Sequence, residues 1–351
     1  MAQQGREPIT DRLFVRRVLI VLALVGLFYL AWQLRHLVLM LFGAVVIATI
    51  FRALSDLICR WTRLPDAVAV ALSVMFVLGL LAGLGALFGA QIAAQVETLK
   101  EAVPAAWRTL EARIGDFGLS EQLATAMQEG KGGGSGILSR AGQMIMSVGG
   151  GIADAIIVVF GGIFLAAQPK FYRIGAIKLV PAANRSLVSE AMSDSERALR
   201  LWLRAQLIAM VVVGVLTGIG LWVIGVPSAL ALGLLAGLLE FIPFAGPIIA
   251  AVPALLLAVV VGPELALWTV ALYLGIQQLE GNVLQPLLQQ YAVELPPVVL
   301  IFSLLGFGML FGTLGIILAA PLTVVSYVLV KRLYVQEALG TATPIPGEGK
   351  A

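Results

Sequence analysis

From Ala205 to Val330 the sequence contains no lysine, arginine, histidine or aspartate, yet it keeps four glutamates. A stretch of that length with no basic residue cannot coat itself with the mixed charges that a soluble helix turns to water, so it belongs in a membrane. The rest of the chain agrees: 60% of residues are apolar and 12% are charged, against about 45–50% and about 25% in soluble domains. The chain therefore reads as all-α, a polytopic transmembrane helical bundle. Its 351 residues accommodate several spans of about 20 residues each with one or two modest aqueous subdomains.

Two of the glutamates, Glu240 and Glu280, fall in or at the end of segments at membrane depth. A carboxylate in hydrocarbon is costly, and no basic residue of the same segment is available to neutralise it. Each acid must face a polar cavity, take up a proton or meet a cation. That is the pattern of a solute pathway.

Other chemistries lack their residues. The formal charge of +3 is small and scattered, which gives no footing for nucleic acid. The single cysteine, Cys59, and the single histidine, His36, exclude an internal disulfide and histidine-pair zinc sites. Both read as packing or interfacial residues, and no metal or cofactor is expected. The run Lys131-Gly-Gly-Gly-Ser-Gly136 lacks the spacing of a phosphate loop and reads as a linker, which argues against an ATP-driven pump. With no nucleophile, metal cluster or acid/base pair assembled by motif, the chain does not read as an enzyme.

Apolar runs set the expected organisation. A basic flank of Arg12, Arg16 and Arg17 precedes a run at 18–34, followed at once by 37–51, which reads as an uncleaved first hairpin. Further spans are expected at 66–90, 146–167, 207–225 and 265–280. Two stretches, 230–261 and 298–330, are too long for one upright span at about 1.5 Å per residue. The first is broken by Pro243, Gly246 and Pro247, the second by Gly306, Gly308, Gly312 and Gly315. Each is either a re-entrant hairpin or one tilted, kinked span. The expected total is about eight membrane segments, two of them interrupted or re-entrant, plus amphipathic surface helices.

Lysine and arginine cluster in the N-terminal segment, between Arg52 and Arg63, between Lys170 and Arg204, and in the tail. The positive-inside rule then puts both termini in the cytoplasm. The resulting division is a cytoplasmic segment at 1–17, N-terminal transmembrane helices at 18–94 and an extracytoplasmic amphipathic segment at 95–145. A transmembrane helix at 146–168 and a cytoplasmic amphipathic segment at 169–206 follow. A transport core at 207–330 and a cytoplasmic tail at 331–351 complete it. In the outer segment Val96, Leu99, Val103, Leu110 and Ile114 sit near helical spacing; on the inner side Leu187, Met192, Leu199 and Trp202 are candidates to face the membrane.

The transport core carries the polar chemistry. Glu240 stands one turn before Pro243, Gly246 and Pro247, so a helix stops at membrane depth, and the carbonyls and amides it exposes survive only where they line protein or water. The bland alternative is a kinked helix in which Glu240 caps a neighbour. Tyr273, Gln277 and Glu280 share one helical face, and Gln278, Asn282 and Gln285 extend it past Gly281. Such a face is either interhelical glue or the wall of a pathway. GxxxG spacings at Gly79/Gly83, Gly214/Gly218, Gly233/Gly237 and Gly308/Gly312 mark expected close helix contacts. The two broken stretches also echo each other: Gly246-Pro-Ile-Ile-Ala-Ala-Val-Pro253 against Gly315-Ile-Ile-Leu-Ala-Ala-Pro321, each beginning after a proline, Pro227 and Pro297. Paired interrupted segments point to a midplane site.

These strings resemble a known family. Glu240-Phe-Ile-Pro-Phe-Ala-Gly-Pro247, Gln277-Gln-Leu-Glu-Gly-Asn282 with Pro286, Leu295-Pro-Pro297, Gly312, Gly315 and Pro321 look like the autoinducer-2 exporter (AI-2E) family of bacterial membrane transporters, formerly a permease family. Pro169-Lys-Phe-Tyr-Arg173, Leu179-Val-Pro181 and Arg204-Ala-Gln206 join the resemblance, which is strongest from Leu207 onward. It implies a multi-pass protein of the bacterial inner membrane that exports a small polar signalling molecule of the quorum-sensing kind or, in some members, exchanges sodium for protons.

The expectation is thus a secondary transporter moving a small polar solute outward, with proton or sodium as candidate coupling ions and membrane lipid as its surroundings. Glu240 and Glu280 are the candidate carriers; Tyr273, Gln277, Gln278, Asn282 and Pro286 line the pathway; Pro243, Gly246, Pro247, Gly312 and Gly315 shape the helix breaks. A cation/proton antiporter and a non-transporting membrane scaffold are the alternatives. Glycine-rich faces and the outer segment leave room for a homo-oligomer.

Overall fold

The structure, a computed structural model, describes residues 9–83, 85–86, 153–289 and 295–345. The expected outer amphipathic segment at 95–145 with its linker at 131–136, the start of the span at 146 and the end of the span at 90 lie outside the described residues. Among the described residues the chain is helical, with no strand. Four helices are long and apolar enough to cross a membrane, or five if a bent pair counts as one span, and shorter apolar helices accompany them.

Helices α1 (Ile9–Gln33) and α2 (Arg35–Thr62) meet at Leu34. They are not the hairpin the sequence suggests. The Leu34 amide donates to Leu30 O and the Val38 amide to Leu34 O, at 2.9 and 3.0 Å, so helical hydrogen bonding runs through the junction. Gln33-Leu34-Arg35 contains neither the glycine nor the proline that a reversal needs. The reversal comes later, where Arg63, in the left-handed region at φ 54°, closes α2 by donating its amide to Cys59 O.

Helix α3 (Asp66–Gly83) then returns along α2. Arg52 belongs to α2 and not to a basic loop: its guanidinium reaches both Asp66 carboxylate oxygens at 2.8 and 2.9 Å and the Ala166 carbonyl at 2.7 Å. Helix α4 (Ala153–Ala167) and helix α5 (Pro169–Lys178) meet at a bend of 94°. Pro169 occupies the first turn of α5, where its missing N–H is tolerated. Phe51, Val70 and Ala166 knit α2, α3 and α4 together. His36 faces Asp154 across α2 and α4 at 3.1 Å.

Helix α6 (Arg185–Ile224) is continuous over 40 residues, so the expected border at 206/207 falls inside one helix. It ends where Gly225 takes φ 86°. The residues expected to face the membrane from its first half turn inward instead: Leu199 and Trp202 are buried, and Leu187 and Met192 are half-buried. Their stripe is matched by Leu39 and Val46 of α2 and by Val324 and Val328 further along the chain, so it closes a core.

The two long stretches are hairpins. Helix α7 (Ala229–Leu239) and helix α8 (Ala245–Val261) are separated by a turn at 240–244 in which Phe244 takes φ 64°. Leu232 shares a buried cluster with Ala254 and Ala258, far up the other limb, as antiparallel limbs require. At the base of the return, a Cβ on Gly246 would stand 1.9 Å from Leu239 O, so only glycine fits. Helix α9 (Pro263–Leu279) follows, then a π-wound turn at Glu280–Leu284 and the short α10 (Gln285–Gln289).

Helix α11 (Pro297–Leu329) folds sharply at Gly312, at φ 66° and ψ −146°. A Cβ on Gly315 would meet Phe307 O at 2.0 Å, and one on Gly308 would meet Ile316 Cγ1 at 2.9 Å. Residues eight apart in a straight helix are separated by about 12 Å, so the two limbs lie side by side. The echo between Gly246 and Gly315 is therefore a shared geometry: each glycine presses on a carbonyl seven or eight residues earlier.

Two of the four GxxxG pairs act as expected, and they act on each other. Gly233 of α7 would place a Cβ 2.4 Å from Gly218 Cα of α6, and Gly237 one 3.0 Å from Gly214 Cα. Among the described residues Gly79 and Gly83 have nothing within 4 Å, and Gly308 with Gly312 serves the hairpin bend instead.

Candidate functional site

The tip of the first hairpin faces a cavity of about 100 Å³. Glu240, Pro243 and Phe244 contribute from the tip, Trp202, Gln206 and Ala209 from α6, Glu280, Leu284 and Gln285 from the π-wound turn, and Leu295, Pro297 and Leu300 from the entry to α11. The sequence explains the convergence. Pro243 stops α7 at the level where α9 gives way to a π-turn, and a π-turn rotates the following side chains relative to a regular helix.

Glu240 and Glu280 meet here, at 2% and 7% exposure, both lining the one cavity. The two are held differently. Glu280 accepts from Gln277 Nε2 at 3.4 Å and from Gln285 Nε2 at 3.2 Å. Glu240 Oε2 is buried with no hydrogen-bond partner, while the backbone carbonyl of Glu240 accepts from Gln206 Nε2 at 2.6 Å. The indole of Trp202 packs edge-on against Phe241 at 5.9 Å, so α6 grips the tip at two points one turn apart. Two ionised carboxylates so placed, away from water, repel strongly. A proton or a small cation between them removes the repulsion.

The remaining expected residues are distributed around this centre. Gly246 and Pro247 form the base of the return limb. The Tyr273 hydroxyl donates to Ala250 O at 3.2 Å, tying α9 to α8 outside the cavity. Gln277, Gln278, Asn282 and Pro286 are exposed, with Asn282 Nδ2 donating to Gln278 Oε1 at 3.3 Å; none of the four lines the cavity. Gly312 and Gly315 shape the second hairpin, whose outgoing limb supplies Pro297 and Leu300.

Sequence reasoning overlooked Trp202, Gln206, Phe244, Leu295 and Leu300 as lining residues. Gln206 carried a usable signal, as a lone carboxamide in an apolar run. Trp202 carried none, because amphipathic periodicity says which face is apolar but not whether lipid or protein covers it. Among the described residues no three His, Cys, Asp or Glu side chains gather to hold a metal ion.

An apolar helical bundle with two doubled-back segments and a buried acidic cavity at the tip of one of them defines a multi-pass membrane protein of the transporter class. Residues 19–334 match the family described as AI-2E family transporter, and the chain belongs to that family. It is 28% identical over 287 residues to "Putative transport protein YueF" of Bacillus subtilis (strain 168), covering 78% of this chain and 77% of that one. Over 147 residues it is 39% identical to "Putative transport protein YrrI" of the same organism, covering 42% of each chain. A segment of 173 residues is 31% identical to "Putative permease PerM" of Escherichia coli (strain K12), covering 49% of each.

Proposed function

We propose that this protein is a secondary transporter that exports a small polar solute, of the autoinducer-2 class, across the bacterial inner membrane, with both termini in the cytoplasm. The observation that carries the reading is the Glu240–Glu280 pair, buried at the tip of a broken helix and facing a cavity, with no basic residue between Ala205 and Val330 to neutralise it. Carboxyls in that setting serve as coupling groups that alternate between neutral and charged forms as the cavity is exposed to either side. Gln206 and Gln285 supply carboxamides for a hydroxyl-rich solute, Gln277 holds Glu280 from outside the cavity, and Pro243, Gly246, Gly312 and Gly315 set the helix breaks. The 207–330 segment is the transport core, with α6 contributing from residue 202.

The test is flux through purified protein in liposomes, with autoinducer-2 and sodium supplied separately under an imposed proton gradient. Solute movement that Glu240→Gln and Glu280→Gln each abolish or uncouple supports the reading. Full transport in both variants removes the carriers. Sodium-dependent proton movement with no solute present replaces solute export by cation/proton exchange at the same carboxyls.

A further inference from the structure

Beyond Leu329 the chain continues through a π-wound extension at Val330–Ala338 and then doubles back. Gly340, at φ 64°, makes the turn, and the Leu339 and Thr341 amides close it by donating to Tyr334 O and Val335 O. The returning segment is tied to the extension at two places: Gln336 Nε2 donates to Thr343 O at 2.7 Å and Lys331 Nζ to Pro344 O at 3.2 Å. The base is fixed separately. Arg332 pairs with Glu190 of α6 and stands 3.8 Å from Asp194.

Of residues 339–345, only Ile345 is buried, at 2% exposure, whereas Leu339 is 58% exposed. Ile345 enters the same core cluster as Trp202 and Leu295. Those two residues also line the cavity that holds Glu240 and Glu280. One side chain near the end of the described chain thus joins the buried cluster that includes two residues of the cavity wall, and it is delivered by a strap held to the extension by Gln336 and Lys331.

We infer that the strap at 339–345 is a latch on the cavity: seated, Ile345 keeps the wall at Trp202 and Leu295 shut, and withdrawn, it opens that wall toward the C-terminal end of the bundle. Removal of a buried aliphatic side chain leaves space that the surroundings fill by collapse or, where polar groups adjoin, by water. Here the adjoining groups are the cavity carboxyls. Gly340 provides the hinge, and the Arg332 pairs keep the base in place while the strap swings.

The latch is tested without the solute, so failure of the transport reading leaves its outcome interpretable. Full-length protein carrying Cys59→Ser and Leu300→Cys, the latter in the cavity wall, is reconstituted and exposed to a charged thiol reagent. Ile345→Asp, and separately a chain ended after Ala338, are expected to raise the labelling rate on the order of tenfold, as local opening does. Ile345→Val is expected to leave it unchanged. Equal rates with and without the strap overturn the inference. So does an equal rise at Ala258→Cys, buried in the first hairpin, because that reports general loosening. If Ile345→Asp does not fold, Ile345→Ala and the shortened chain are read by the same criteria.

Discussion

Gly315 is seated on the carbonyl oxygen of Phe307, where a Cβ would stand 2.0 Å away, well inside contact distance. Gly246 meets Leu239 O in the same way at 1.9 Å. Backbone on both sides of each contact leaves no flexible atom to yield. Gly246→Ala and Gly315→Ala are therefore expected to destabilise the fold by about 3 kcal/mol or more. Thermal unfolding in detergent checks this, with Gly275→Ala, which meets nothing within 4 Å, as the neutral comparison.

The crossing of α6 and α7 depends on Gly233 lying against Gly218. Gly233→Leu forces the helices apart, and the expected result is loss of monodisperse protein on size exclusion. Gly79→Leu, which meets nothing within 4 Å among the described residues, is expected to behave like the parent.

Trp202 fills the angle between Phe241 and the cavity. Trp202→Ala is expected to lower stability by about 3–5 kcal/mol. Trp202→Phe keeps an aromatic edge against Phe241 and should recover most of it, which paired melting curves would show.

Arg52, 15% exposed, satisfies Asp66 and the Ala166 carbonyl with one planar group. Lysine offers a single point charge and cannot reproduce that fork. Arg52→Lys is expected to lose about 1–3 kcal/mol, the value of hydrogen bonds to charged groups. A result within error of the parent would mean that the Ala166 contact contributes nothing.

Gln285 donates to Glu280, and removal of that donor leaves the carboxyl less well held. Gln285→Leu is expected to reduce flux by between about ten- and a hundredfold, while Asn282→Leu, outside the cavity, leaves flux near the parent level. Comparable losses in both would shift the pathway to the outer polar face of α9.

The membrane class, the two breaks and the singling out of Glu240 and Glu280 were legible because each rests on a local conflict: an acid in an apolar run, or a proline and glycines inside a span. That the two acids share one cavity was not, since they lie on different elements 40 residues apart. Whether 230–261 and 298–330 doubled back was not legible, since a kink and a reversal use the same residues. Only the closeness of Leu239 to Gly246 and of Phe307 to Gly315 separates them. The inward turn of Leu199 and Trp202 was hidden for a related reason: an apolar stripe has the same appearance whether lipid or Val324 and Val328 cover it. Gln277, Gln278 and Asn282 read as part of one polar face, but only Glu280 and Gln285 of that set reach the cavity wall; the π-wound turn at Glu280–Leu284 shifts the helical phase between them, which spacing for a regular helix does not foresee.

At 40 residues, α6 is about 60 Å long, roughly twice the thickness of the hydrocarbon layer. One end must stand clear of the bilayer while the other is held in it, and Trp202 and Gln206 grip the acidic tip near the middle of its length. One unbroken rod therefore runs from the Glu190 and Asp194 contacts with Arg332 at one end to the cavity carboxyls at its middle, with no joint between them to absorb a displacement.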